Sequence, residues 1–397
     1  MIAAWSLFIL GSGLRIAEFS DPQQKTVCVS AVVRLPSLSP KGVAAARALV
    51  EELRDGSAAY GRSRWVGEGA LVGVLPSVEL SSDAIVVRLA SAPRRHRVVA
   101  SLLADLLRSP AASQEAAMRA IERAREDHRT SWEQGLDPRR EEWQGLDARV
   151  LSHFARWLPR PERVAVAISG PFLPGEGRKA LEVRLEDWKG TPGIPEPREL
   201  LGASPSVQRS GGPLVVRWTV PWSDLSDRGM GQVWLVASAL GSGKGGTLFR
   251  AWRVEDGFSY RQECRIEGAP EGVSLRVLVA KARDEGGLTE AWRKLRAAVE
   301  AWTEGDRLRA LAMMGRRSSG PYPDGVLGFL GPDPASPDPL DQAGLAAYWA
   351  AKTGRPLDLG AWLREARAMP LEEMRSLALR LLSEAQMEGS VGSSNSG

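Results

Sequence analysis

Cysteine is almost missing: the 397 residues contain only Cys28 and Cys264. Two thiols so far apart in sequence build neither a disulfide framework nor a four-cysteine zinc site. Histidine is equally scarce, with His96, His128 and His153 alone. Their spacing makes no metal motif, since His96 sits in a basic turn and the other two on charged helices, so each reads as a surface or packing residue. No apolar stretch approaches the roughly 18 residues of a membrane span. Charge of one sign is lacking too: 52 basic residues against 48 acidic leave a net charge of +4. No tract holds five or six like charges, and Arg94-Arg95-His96-Arg97 is the densest basic spot. The basic stripe interleaved with aromatics that marks a nucleic-acid binder is absent.

What is present reads as globular protein. The composition, 43% apolar and 25% charged, excludes wholesale disorder. The length suits two or three domains, and either half can bury a core of its own. The apolar opening, residues 1–10, lacks the basic start and the small-residue cleavage site of a signal peptide. Trp5 to Leu10, the turn Gly11-Ser12-Gly13 and Leu14 to Phe19 read instead as a hairpin, which points to a cytoplasmic chain. A periplasmic or secreted chain follows if residues 1–10 belong to a signal. Fourteen tryptophans stand against four tyrosines. Trp132, Trp143, Trp157, Trp292, Trp302, Trp349 and Trp362 all fall in helical stretches, as expected for large packing residues.

The strongest break is KGTPGIPEPREL, residues 189–200, whose prolines and glycines deny it a regular element. It divides the chain almost in half, and the halves run in similar order. In the first half, residues 27–35, 70–75, 84–90 and 163–169 read as strands. Residues 40–54, 98–107, 114–132, 141–157 and 175–188 read as helices. In the second, residues 214–220, 258–266 and 273–280 read as strands, and 231–240, 247–254, 290–303 and 370–385 as helices. An offset of about 190 residues lays Gly67-Glu68-Gly69-Ala70 opposite Asp256-Gly257-Phe258-Ser259. The fold class expected is therefore α+β, two homologous domains, each a mostly antiparallel sheet with helices on one face. Residues 1–188 form the first domain, 189–200 the linker, 201–388 the second domain and 389–397 a tail. Residues 316–339, rich in glycine and proline, form a long connection that reads either as a binding loop or as a wandering one.

The glycine run Gly241-Ser242-Gly243-Lys244-Gly245-Gly246 matches G-x-G-x-x-G as a string. A phosphate loop needs Lys followed by Ser or Thr, and a dinucleotide loop needs a strand before it. Here Lys244 precedes Gly245 and both flanks read as helix, so nucleotide binding does not follow. A flexible loop or a plain turn remains.

Several motifs are similar to those of the M16 metallopeptidases, the family of pitrilysin, insulysin and the mitochondrial processing peptidase. They are the opening hairpin, the helix ending at Gly56-Ser57, and Arg160-Pro161-Glu162-Arg163 leading into Val164-Ala165-Val166-Ala167-Ile168-Ser169-Gly170. In the second half they are the glycine run leading to Thr247-Leu248-Phe249-Arg250, then Arg253-Val254-Glu255-Asp256-Gly257-Phe258-Ser259-Tyr260. The resemblance covers nearly the whole chain and implies a two-domain subunit that forms half of a clamshell and assembles in pairs. Active members carry His-x-x-Glu-His on the first helix, two zinc-binding histidines one turn apart and a glutamate that activates water. Counted back from Gly56-Ser57, those positions hold Arg47, Val50 and Glu51. Arginine does not ligate zinc, and valine does not accept a proton. The third ligand has only ambiguous counterparts around Glu122 to His128.

The resemblance therefore implies a non-catalytic subunit without a cofactor of its own, with zinc held by a sister subunit that bears His-x-x-Glu-His. It also implies that Arg253 and Tyr260, the family's arginine–tyrosine pair, contact a peptide substrate. Read from the residues alone, Arg253 caps a helix and Tyr260 packs on a strand. The other role the resemblance allows is a structural or docking protein without peptidase function.

Overall fold

The computed structural model describes residues 5–81, 83–110, 113–128, 143–191, 193–202, 210–212, 214–241, 243–255, 257–282, 287–314, 338–384, 386–388 and 390–391. Contacts divide the chain into two units. The first comprises Ala3–Ser204 and Asp338–Leu357, and the second Pro205–Pro337 and Asp358–Gly397 with Met1–Ile2.

The first unit opens with the expected hairpin of β1 (Ser6–Ile9) and β2 (Arg15–Ser20), turned at Gly13 with φ 86°. Next come β3 (Val27–Arg34), α1 (Pro40–Arg54), α2 (Arg62–Ala70), β4 (Ser77–Leu80) and β5 (Ala84–Ser91). Helices α3 (His96–Arg108), α4 (Gln114–His128) and α5 (Ala148–Trp157), strand β6 (Val164–Gly170) and helix α6 (Glu176–Leu185) complete its run. The strands form one sheet in the order β1-β2-β6-β3-β5-β4. Its pairs are antiparallel except β2 with β6. Val29 and Val33 of β3, Ile85 and Val87 of β5, and Val164 and Val166 of β6 alternate along their strands and join one core with Leu49, Leu103 and Phe154. Residues 70–75, expected as a strand, instead finish α2 and turn. The Val72 and Val74 amides both donate to the Gly69 carbonyl, and Leu71 and Leu75 stay exposed. A local turn has captured an apolar run that composition alone assigns to a sheet.

The second unit contains β7 (Ser210–Gly212), β8 (Leu214–Pro221), α7 (Asp227–Gly241), β9 (Ser259–Gly268), β10 (Gly272–Ala282), α8 (Gly287–Glu300) and α9 (Glu304–Met313). Helix α10 (Pro339–Thr353) follows in sequence, then α11 (Leu359–Ala368), α12 (Leu371–Glu384), β11 (Gln386–Glu388) and β12 (Ser390–Val391). Strands β11-β8-β10-β9 form an antiparallel sheet. Chain order and neighbours both repeat β6-β3-β5-β4 of the first unit, the duplication inferred from sequence.

Helix α10 comes late in the chain, yet it belongs to the first unit, where it packs on β3, β6, β2 and β5. Two alanine-rich surfaces meet there. Ala17, Ser30, Ala165 and Ala167 of the sheet alternate with the residues of the opposite face, and α10 brings Ala343, Gly344, Ala346, Ala347 and Ala350. Approach is close enough that a Cβ on Gly344 would lie 2.8 Å from Arg88 Nε. A bulky side chain on either surface would hold the helix off the sheet. At the far end of α10, Lys352 Nζ lies 2.6 Å from Asp83 Oδ2, with both side chains buried, and Tyr348 donates to the same oxygen at 2.6 Å. The linker read from sequence also stays against the first unit. Arg198–Leu200 form a 3-10 turn, and Lys41 pairs with Glu199 at 2.9 Å.

Candidate functional site

Helix α1 is built to start and stop where it does. Ser39 caps it by accepting from the Gly42 amide at 3.2 Å, Pro40 opens its first turn, and Gly56 follows its end with φ 98°. Positions 47, 50 and 51 fall on one helical face by their spacing. Arg47 is half-buried, while Val50 and Glu51 are buried. No histidine or proton acceptor stands at the first two positions, so this set does not fit a catalytic zinc ion.

The face carries an ionic network instead. The Glu51 carboxylate pairs with Arg54 and lies 3.9 Å from Arg123 Nε of α4. Arg123 forks onto both oxygens of Asp55, at 3.1 and 2.5 Å, and donates to the Glu51 carbonyl at 3.2 Å. Arg62 approaches Asp55 at 3.8 Å. One guanidinium thus ties α4 to the last turn of α1. It stands within the window, Glu122 to His128, where the sequence showed only ambiguous third-ligand candidates. Arg123 and Asp55 were missed because a metal motif is sought among acids and histidines, whereas the tie is made by a cation.

Glu52 was missed as well. It is 1% exposed, and among the described residues neither carboxylate oxygen has a hydrogen-bond partner. Burial, reinforced by the charge of Asp55, pushes its carboxyl up to about 7. No spacing rule singles it out, since burial of a helical glutamate depends on what covers it.

In the second unit the glycine run is a short connector. Helix α7 ends at Gly241, where a Cβ would lie 2.4 Å from Cys264 Cβ, so the glycine lets the helix reach β9. Gly243–Gly245 make one 3-10 turn, which also carries Lys244, and Gly246 follows it, buried. The end of the run is pinned: Thr247 donates to the Ala239 carbonyl at 3.1 Å and accepts from Trp302 Nε1 at 2.8 Å. A π-helical segment, Phe249–Glu255, places the half-buried Arg253 in its last turn. Such segments recur at functional sites. Gly257 turns the chain with φ 61°, and Tyr260 is the second residue of β9, an edge strand of its sheet. The Tyr260 side chain lies outside what the structure describes, as do residues 316–337 of the long connection and residues 389 and 392–397 of the tail.

The other candidate groups do not converge. The His96 ring lies 5.7 Å from that of Phe172, and His153 Nε2 is 2.8 Å from the Pro195 carbonyl. Burial pushes both thiols up, Cys28 to about 12, which removes them as nucleophiles. Among the described residues no group of three or more His, Cys, Asp and Glu is arranged to hold a metal ion, and no helix is long and apolar enough to cross a membrane.

No protein-family model matches the sequence, and no curated protein matches it. Solved structures do match. A protease from Helicobacter pylori is similar with a TM-score of 0.72 at 11% identity, covering 99% of this chain and 100% of its own. An inactive M16 peptidase domain from Pseudomonas fluorescens has a TM-score of 0.71 at 13% identity, with 98% and 97% covered. An M16-like peptidase described as putative, from Alicyclobacillus acidocaldarius, has a TM-score of 0.68 at 14% identity, with 98% of each chain covered. The two-unit α+β architecture of this chain is the fold of the M16 peptidase-like proteins.

Proposed function

We propose that this chain is a non-catalytic subunit of an M16-type zinc peptidase pair, whose sister subunit carries His-x-x-Glu-His and its zinc. The observation that supports the reading is the α1 face. Arg47, Val50 and Glu51 stand at the three motif positions, and Arg123 with Glu51 and Asp55 joins α1 to α4 by ion pairs. One of the similar structures is itself an inactive M16 domain. In this role the chain completes a peptide-binding chamber. Arg253 and Tyr260 donate hydrogen bonds to a peptide carbonyl and to the oxyanion formed during hydrolysis by the sister subunit.

The test is to purify the chain at native level from its own cells and identify what accompanies it. A one-to-one companion bearing His-x-x-Glu-His, with zinc and peptidase activity lost on separation, is the expected result. A chain that comes alone, or within an assembly lacking such a companion, moves the reading to a structural or docking protein. In the active pair, Arg253→Ala and Tyr260→Phe are expected to lower kcat/KM about 10- to 1,000-fold. Unchanged rates in both variants remove the substrate role.

A further inference from the structure

At one end of the six-stranded sheet four arginines gather, with no carboxylate partner among the described residues. Arg15 opens β2 and Arg34 ends β3; Arg160 precedes and Arg163 ends the 3-10 turn that leads into β6. Register explains the gathering, because Val33 pairs with Val164 and Arg15 with Ala165 across adjacent strands. Arg15 Nη1 and Arg34 Nη2 both donate to a single acceptor, the Glu162 carbonyl, at 3.4 and 2.6 Å. Arg163 lies 4.0 Å above the Trp157 ring and Arg160 5.8 Å from it, and Arg160 also donates to the Ile194 carbonyl at 3.4 Å.

Several other arginines of the first unit are paired with acids. Arg54, Arg88, Arg95, Arg108, Arg119 and Arg123 each hold a carboxylate. Among the described residues none of the four clustered arginines makes an ion pair. Three of their nitrogens, Arg15 Nε, Arg34 Nε and Arg163 Nη1, are buried with no acceptor among the described residues. Burial, then the charges of Arg15 and Arg163, push the Arg34 guanidinium below its usual range, with Glu162 pulling the other way. Burial and Arg160 do the same to Arg163, opposed by Glu162 and Glu196. Glu162 and Glu196 oppose those shifts, and among the described residues neither forms an ion pair with a clustered arginine. All four side chains keep part of their surface in solvent, so an anion can reach them.

We propose that Arg15, Arg34, Arg160 and Arg163 form a binding site for a doubly charged oxyanion, a phosphate group, at this end of the sheet. Guanidinium forks match phosphate oxygens in geometry, and a dianion supplies the charge the cluster lacks. The site is independent of the peptidase reading and uses none of its residues.

The experiment is calorimetric titration of the full chain at low ionic strength with inorganic phosphate and, separately, phenyl phosphate, against chloride matched in ionic strength. Saturable one-to-one binding of either phosphate with no response to chloride is expected. Tighter binding of the monoester identifies the natural ligand as a phosphorylated molecule; equal binding identifies the free ion. Arg34→Met and Arg160→Met are each expected to weaken binding at least 10-fold. Arg108→Met, at a surface pair with Asp187, is expected to leave it intact. Because Arg34 is partly buried and its variant can misfold, the half-exposed Arg160 carries the decision. An Arg160→Met chain that folds and binds phosphate as tightly as the parent overturns the site. So does the absence of binding, or a response to chloride equal to that for phosphate.

Discussion

Helices α1 and α7 hold the same place in the element order of two units that share one four-strand plan, and different chemistry holds each. The last turn of α1 carries Glu51, Glu52 and Arg54, Asp55 caps its end, and Arg123 reaches across from α4. The second half of α7 reads Val233-Trp234-Leu235-Val236-Ala237-Ser238-Ala239-Leu240, almost wholly apolar and buried, and closes at Gly241 against Cys264. Because α7 seats on its sheet without charges, the plan does not require the ionic face of α1. Buried carboxylates are weak sources of stability at best, and apolar packing is the cheaper way to cover a sheet.

The comparison is broken or sharpened first by Lys352→Met. It strands Asp83 as a buried charge and is expected to lower the stability of the first unit by about 3–5 kcal/mol. Urea unfolding followed by hydrogen exchange reads the units apart: β3 peptides should lose protection while β8 peptides keep theirs. Equal loss in both would contradict the assignment of α10 to the first sheet.

Glu52→Met comes next, and its effect depends on pH. The carboxyl is raised from 4.5 to about 7. Below about pH 4.5 it is protonated in folded and unfolded chains alike and costs nothing. As pH rises to about 7 the unfolded chain gains stability by ionising, and the penalty grows to about 3 kcal/mol, then levels off. The variant should be the more stable chain at pH 8 and gain little at pH 4.5. A gain that does not vary with pH would show that Glu52 is not held neutral.

Arg123→Met should lower first-unit stability by about 1–3 kcal/mol, because Glu51 and Asp55 lose their shared cation. Added salt should narrow the gap, and an unchanged midpoint would make the network decorative. The smallest expected effect is in the second unit. Gly241→Ala places a Cβ 2.4 Å from Cys264 Cβ, a crowding of about 1–2 kcal/mol. If the alanine is neutral or stabilising, α7 is not held as closely to β9 as its glycine implies.

Much of the plan was legible in the residues. The hairpin at β1 and β2, the β-branched runs of β3, β5 and β10, and the order of the two halves all follow from periodicity and glycine placement. That an arginine and a valine stand at positions 47 and 50 is read from the string directly, and neither residue type ligates zinc. Helix α10 was not legible as part of the first unit: its run Ala346-Ala347-Tyr348-Trp349-Ala350-Ala351 fits any buried helix. Arg123 and Asp55 were not legible as a pair because 68 residues separate them. The four clustered arginines are scattered over positions 15 to 163, and only strand register brings them to one end.

The sequence by itself determined most of the strands of both sheets, that they come twice, and that an arginine and a valine stand at positions 47 and 50 of the first helix. Those properties rest on short-range spacing and residue chemistry, which a linear string carries intact. Tertiary structure alone decided which carboxylates meet which guanidiniums, which glutamate is left dry, and which helix covers which sheet. Each of these depends on contacts between residues far apart in the chain, and there burial, not residue type, sets the charge and the partner.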